Sequence, residues 1–219
     1  MGVLIFFDIN GTIIKRDERT DIPYKKALNL LLNVENSMDG VDTSARSDKD
    51  VFTEVLNKHG HSFSDQKWEA FVELYKEQLE LFKDTDVWRE NVDAVSIINK
   101  LSSTNHKLSL ITGEFSMGAK YKLQKIGVWD HFPVGGFGED GFKRFDIAEV
   151  ALKRVKNLYN DTFDEIYIIG DTLLDIKTAR HLGAKIISIT TGSNTREELL
   201  TEKPDYIIDR FEEIEHLFV

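Results

Sequence analysis

The chain has no cysteine among its 219 residues, which removes disulfides, thiolate metal sites and cysteine nucleophiles together, and leaves the redox compartment unreadable from its thiols. It also lacks an excess of positive charge. With a formal charge of −10, the overall field repels polyanions and anionic lipid surfaces, so neither nucleic acid nor a membrane is expected as the main partner, although a local basic pocket for one phosphate remains compatible. No apolar run is long enough to cross a bilayer, and no basic region precedes the first one. A cytoplasmic protein is the simplest expectation. Repeats, low-complexity segments and long linkers are absent as well, and the length suits one large domain, or one domain with a smaller insertion.

What is present begins with Val3 to Phe7, five apolar residues running straight into Asp8, Ile9, Asn10, Gly11 and Thr12. This pattern reads as a buried strand that delivers a carboxylate at its C-terminal end, the edge at which open α/β sheets bind ligands. A polar passage, 13–21, reads as a turn and short hairpin. Three helices follow without an intervening strand. The first spans Ile22 to Asn36. The second is capped by Ser47 with Asp50 and stopped by Gly60, and the third runs from about Ser64 to Lys83 with Trp68, Phe71, Tyr75 and Leu79 on one side. From Val87 onward helices alternate with strands. Leu108 to Ile111 ends at Thr112-Gly113, Glu165 to Ile169 leads to Asp171, and Lys185 to Thr190 and Tyr206 to Ile208 come last, with a helix between them capped by Asn194 and Glu197. Alternation of this kind implies right-handed crossovers and a Rossmann-like α/β fold, a mostly parallel sheet with helices on both faces.

Asp8, Thr112 and Asp171 each follow an apolar strand, so a parallel sheet brings all three to one edge. Any one of them alone is better read as a helix cap; three strand ends together, with Asp175 four residues beyond Asp171, make that reading poor. Asp171 and Asp175 share a helix face. Carboxylates that close repel unless a cation neutralises them, and hard oxygen ligands beside a phosphate suit Mg²⁺. The six histidines show no metal-ligand spacing tied to a strand end, and Gly135 to Gly138 is no dinucleotide fingerprint.

Phe6 to Thr12 together with Gly170 to Asp175 resembles the haloacid dehalogenase superfamily of aspartyl phosphotransferases, in its branch of phosphoglycolate phosphatase and β-phosphoglucomutase relatives. The resemblance covers essentially the whole chain. It implies that residues 1–14 and 85–219 form the α/β core and that 15–84 is a helical cap. It further implies that Asp8 is the nucleophile, attacking phosphorus to give an aspartyl-phosphate that water hydrolyses. Mg²⁺ is then held by Asp8, the backbone carbonyl of Asn10 and Asp171, with Asp175 as a further ligand or a partner behind them. Thr112, with backbone N–H groups near Gly113, binds a phosphate oxygen. Lys143 and Arg144 compete for the role of the cation on the phosphoryl group; spacing to the Ile147 helix favours Arg144, residue type Lys143. Ala45-Arg46-Ser47-Asp48 is similar to a cap segment in which Arg46 meets the substrate's distal end, but Ser47 as a plain cap and Arg46 as a solvated charge are equally good readings.

Two positions depart from the family pattern. Glu114 stands where relatives often carry asparagine, and Asn10 stands where its phosphatases carry the acid–base aspartate. An amide neither protonates a leaving oxygen nor activates water, a loss of roughly 10²–10⁴ in rate. Asn10 therefore marks an engineered variant, a natural enzyme with another proton donor or a good leaving group, or a non-catalytic phosphate and Mg²⁺ binder. The expected function is Mg²⁺-dependent hydrolysis of a small phosphorylated metabolite. A phosphoglucomutase-like transfer is harder to reconcile with Asn10, because it depends more on acid–base work.

Overall fold

The computed structural model describes residues 2–43, 46–160, 163 and 165–218. A six-stranded sheet runs through them, built from β1 (Leu4–Phe7), β2 (Lys107–Ile111), β3 (Gly135–Gly136), β4 (Ile166–Gly170), β5 (Lys185–Ile189) and β6 (Tyr206–Ile208). The strand order is β3-β2-β1-β4-β5-β6 and every pairing is parallel. The first strand is thus central, with Phe7 in register with Leu110 on one side and Ile169 on the other.

Its four residues are all buried because both faces of the sheet are covered. Leu4 and Phe6 point to one face, where they pack with Ile147, Ala151 and Val155 of α6 (Arg144–Tyr159) and Ile176 and Ala179 of α7 (Leu173–Leu182). Ile5 and Phe7 point to the other, against Ile97 and Ile98 of α4 (Ala94–Ser102), Leu123 of α5 (Ser116–Lys125) and Phe211. This is the period-2 alternation of a strand, with an apolar partner on each side. The chain closes with α8 (Arg196–Thr201) and the single turn α9 (Glu215–Phe218).

Between β1 and β2 lie α1 (Ile22–Leu32), α2 (Asp48–Lys58) and α3 (Asp65–Phe82). They have an apolar cluster of their own, centred on Leu28, Phe52, Phe71 and Tyr75, and Val87, Trp88 and Phe115 join it. Phe71 stacks on Tyr75 at 5.7 Å, and Phe52 packs edge-on to Trp68 at 5.0 Å. No described helix is long and apolar enough to cross a membrane.

Three local expectations are corrected. The first helix stops at Leu32 rather than Asn36, because Asn33 turns into the left-handed region at φ 53° and Asn36 does so again. Residues 13–21 form turns, with Ile14 bridging singly to Asn10 and Glu90, and no hairpin. The cap of α8 is Thr195 with Glu198, each side chain bonding the other's backbone N–H, rather than Asn194 with Glu197. Ser47 caps α2 as expected, accepting from the Asp50 N–H, though without a reciprocal bond from Asp50, and Ser64 caps α3 by accepting from the Lys67 N–H.

Candidate active site

Because β2, β1 and β4 are neighbours and parallel, the residues just past their C-terminal ends meet. Asp8, Thr112 and Asp171 come together at this edge, and the first turn of α7 adds Asp175. All four are buried. Ligand oxygens of Asp8, Asp171 and Asp175 lie within 4.8 Å of one another. Asp171 is fixed from two sides, accepting the Thr12 hydroxyl at 3.1 Å and the Ser193 N–H at 2.6 Å. Its carboxylate fits only because Gly11 and Gly192 lie against it: a Cβ at either position would collide with it, and Gly11 also has φ 89°. Asp175 does cap α7, exchanging hydrogen bonds with Thr172, yet its other oxygen accepts from Arg144 at 2.8 Å.

Arg144 opens α6 and turns inward. One guanidinium nitrogen donates to Asp8 at 2.6 Å as well as to Asp175. Its Nε is buried with no acceptor among the described residues. Lys143 caps the same helix with extended backbone, is exposed, and does not line the cavity described below. The adjacent side chains therefore diverge, with Arg144 beside the carboxylates and Lys143 outside.

Burial pushes the Asp8 carboxyl up to about 8; Arg144 opposes this, while Asp175 and Asp171 add to it. Burial likewise raises Asp171, to about 6, with the charge of Asp175 adding and the Ser193 and Thr12 hydrogen bonds opposing. Three buried carboxylates beside one guanidinium make an unbalanced set that a further cation would complete. An all-oxygen, buried, glycine-walled cluster fits a hard divalent ion such as Mg²⁺.

Asp8, Asp175 and Arg144 line a cavity of about 460 Å³ whose walls also include Asn10, Thr112, Gly113, Glu114 and Lys122 from the core side and Arg46 from the helical side. Arg46 is 27% exposed and held by Asp50 at 2.7 Å, Glu54 at 2.5 Å and the Asp42 carbonyl at 3.0 Å. Ser47 meanwhile caps α2, so the cap role and a cavity-lining Arg46 coexist; Ala45 lies outside the described residues. The helical part is tied directly to the sheet edge. Asp48 N–H donates to the Gly113 carbonyl at 2.8 Å, Asp48 accepts from Phe115 N–H at 2.7 Å, and Ser47 donates to the Phe142 carbonyl at 3.1 Å. Gly113 has no room for a Cβ, which would meet the Arg46 carbonyl. Burial holds the Asp48 carboxyl well above its ordinary range, with the charge of Glu114 acting in the same direction.

The sequence reading missed Lys122. It lies on the inner face of α5 with Ala119 and Leu123, where a lysine is buried to 2% exposure. Its ammonium donates to Asn10 Oδ1 at 2.9 Å and pairs with Glu114 at 2.7 Å, while Asn10 Nδ2 donates to the other Glu114 oxygen at 2.9 Å. Asn10 and Glu114 are thus in contact with each other and with this lysine. A charged residue in an otherwise apolar helix stripe was the available signal.

The model of haloacid dehalogenase-like hydrolases matches residues 5–180, and a second model, of HAD-hydrolase-like proteins, matches 147–214. The chain belongs to the haloacid dehalogenase-like hydrolase family. Among curated relatives, the "Putative pyrophosphatase PpaX" of Clostridium perfringens is 24% identical over 94% of this chain and 92% of its own. A phosphoglycolate phosphatase of Vibrio vulnificus is 27% identical over 51% of this chain and 49% of its own. Among solved structures, a hydrolase from Pseudomonas syringae superposes with a TM-score of 0.72 at 18% identity, covering 98% of this chain and 96% of that one. CbbY from Rhodobacter sphaeroides, in complex with phosphate, gives 0.68 at 17% identity, covering 98% and 97%. At these identities the structural likeness establishes the fold.

Proposed function

We propose that the chain is a Mg²⁺-dependent phosphatase that cleaves a small phosphorylated metabolite through an aspartyl-phosphate on Asp8. The observation that carries this reading is the meeting of Asp8, Asp171, Asp175 and Arg144 in a buried cluster at the C-terminal edge of a parallel sheet. Names borne by relatives, phosphoglycolate phosphatase and pyrophosphatase, support phosphate as the group acted on.

Asp8 lines the cavity and attacks phosphorus as a carboxylate. Arg144, already bonded to it, orients the nucleophile and places positive charge where the phosphoryl oxygens gather. Thr112, at the neighbouring strand end, gives its hydroxyl to another. Asp8, Asp171, the Asn10 carbonyl and Asp175 would hold Mg²⁺, whose charge offsets repulsion between an anionic nucleophile and an anionic substrate. Residues 15–84 act as a cap, and the walls they contribute, Arg46 among them, select the substrate's distal end and limit it to small molecules.

The test is phosphate release from a panel of small phosphate compounds with Mg²⁺ or EDTA, by this chain, Asp8→Ala and Asn10→Asp. Release that needs Mg²⁺ and vanishes in Asp8→Ala supports the proposal. If neither this chain nor Asn10→Asp releases phosphate from any compound, a phosphate-binding protein on the same scaffold is the better account.

A further inference from the structure

Resting on the phosphatase reading, we propose that Asn10 and Glu114 form a cradle that presents the Lys122 ammonium to the departing oxygen, which selects substrates whose leaving group departs as a stabilised anion and needs no proton. The shared chemistry is that of acyl phosphates, phosphoanhydrides and aryl phosphates, as opposed to simple alkyl phosphates.

Three observations carry the proposal. Asn10 follows the nucleophile by two residues and lines the same cavity, but its side chain is an amide and transfers no proton. Glu114 fixes the amide's orientation by accepting from Nδ2 at 2.9 Å, which turns Oδ1 towards Lys122 at 2.9 Å. Lys122 also lines the cavity. Asn10 and Glu114 take two of the three N–H bonds of its ammonium, leaving a third for a ligand. Gly118, one turn earlier on α5, permits this close approach, because a Cβ there would collide with the Glu114 carboxylate and the Tyr75 hydroxyl.

A plain structural ion pair is a poor alternative at this place. Burying a lysine and a glutamate costs both their hydration, and apolar residues of similar volume serve a core at least as well. This pair instead stands in the wall of a ligand cavity, bonded to the side chain that replaces a proton donor.

The chemistry balances without an acid. An Asp8 oxygen bonds to phosphorus as the bond to the leaving oxygen breaks, and the electron pair stays on that oxygen beside Lys122. In the second half, water bonds to phosphorus, Asp8 returns as a carboxylate, and both water protons end on the released dihydrogen phosphate.

The experiment measures kcat/KM with Mg²⁺ for acetyl phosphate, pyrophosphate, 4-nitrophenyl phosphate and phosphoglycolate. It compares this chain with Asn10→Asp, Lys122→Met and Lys122→Arg, with melting temperatures alongside. This chain should favour the first three over the alkyl ester by at least about 100-fold, the range in which general acid catalysis operates. Asn10→Asp should raise the alkyl rate by about 100-fold or more and so shrink the preference. Loss of an oriented transition-state donor typically costs about 100-fold, so Lys122→Met should slow the first three by that order while Lys122→Arg recovers part. Equal rates across the series, or an unchanged preference in Lys122→Met, would overturn the cradle. A purely structural Lys122 would lower the melting temperature and slow every substrate alike. Should Lys122→Met not fold, the preference of this chain and its change in Asn10→Asp decide the matter. Phosphate release by Asp8→Ala equal to that of the parent would instead bring down the phosphatase reading itself.

Discussion

Replacing Arg144 by alanine should be far more damaging than the loss of one side chain suggests, and the damage should depend on pH and on Mg²⁺. Arg144 is the cation bonded to Asp8 at 2.6 Å and to Asp175 at 2.8 Å, all three groups being buried. Removing one member of a buried charge set strands the others, at a typical cost of about 3–5 kcal/mol. For a chain of this size about 2–4 °C of melting temperature accompanies each kcal/mol, so a fall of roughly 6–20 °C is expected. The stranded Asp8 carboxyl relieves part of the cost by taking up a proton. Asp8 already sits at about 8 with the guanidinium present and rises further without it, so the loss should be smaller at pH 6 than at pH 8. Millimolar Mg²⁺ should restore part of it at pH 8. Thermal melts followed by circular dichroism, at both pH values with Mg²⁺ or EDTA, read all of this. A melting temperature within about 1 °C of the parent at pH 8 in EDTA would refute the reasoning.

Asp8 and Asp171 make the metal-free parent sensitive to pH. Because folding raises Asp8 from 3.8 to about 8 and Asp171 to about 6, the folded state holds protons that the unfolded state has released. Stability should therefore fall as pH rises from about 4 to about 8, and Mg²⁺ should raise the melting temperature more at pH 8 than at pH 5.5; a gain independent of pH would contradict this. Gly192→Ala pushes a methyl into the Asp171 carboxylate and should weaken Mg²⁺ binding at least 10-fold by calorimetry; unchanged affinity would show that Asp171 is not a ligand. Trp88→Ala empties a fully buried site packed edge-on to Phe82 at 5.4 Å. It should cost about 3–5 kcal/mol in denaturant unfolding, with phosphate release persisting in whatever fraction is folded.

Much of this site was legible because it depends on strand ends. Apolar runs such as Val3 to Phe7 declare buried strands, a parallel sheet sends their C-terminal ends to one edge, and the residues just beyond them, Asp8, Thr112 and Asp171, are brought together by that rule alone. The helix start at Ser47 was equally plain, since one hydroxyl accepting one N–H is a local event. Other features depend on what the chain meets in space. Whether Lys143 or Arg144 faces the carboxylates is decided by the first turn of α6, which no residue type announces. The early end of α1 follows from Asn33 adopting a left-handed conformation that asparagine tolerates but does not require. Strand β3 is two glycines, Gly135 and Gly136, which carry no side-chain pattern. Lys122 was hidden because a lysine in a helix is ordinarily a solvated charge. Only its distant partners, Glu114 and Asn10, make its burial intelligible.

The central claim is that Asp8 becomes phosphorylated. Since Asn10 cannot activate the hydrolytic water, the aspartyl-phosphate should accumulate during turnover of acetyl phosphate with Mg²⁺. Quenching that reaction with borohydride, which reduces an acyl phosphate to the alcohol, and sequencing the peptides by mass spectrometry tests it directly. Conversion of Asp8 alone to homoserine, dependent on substrate and Mg²⁺, is the predicted result. Turnover without modification at Asp8, or with modification at another carboxylate, would contradict the account.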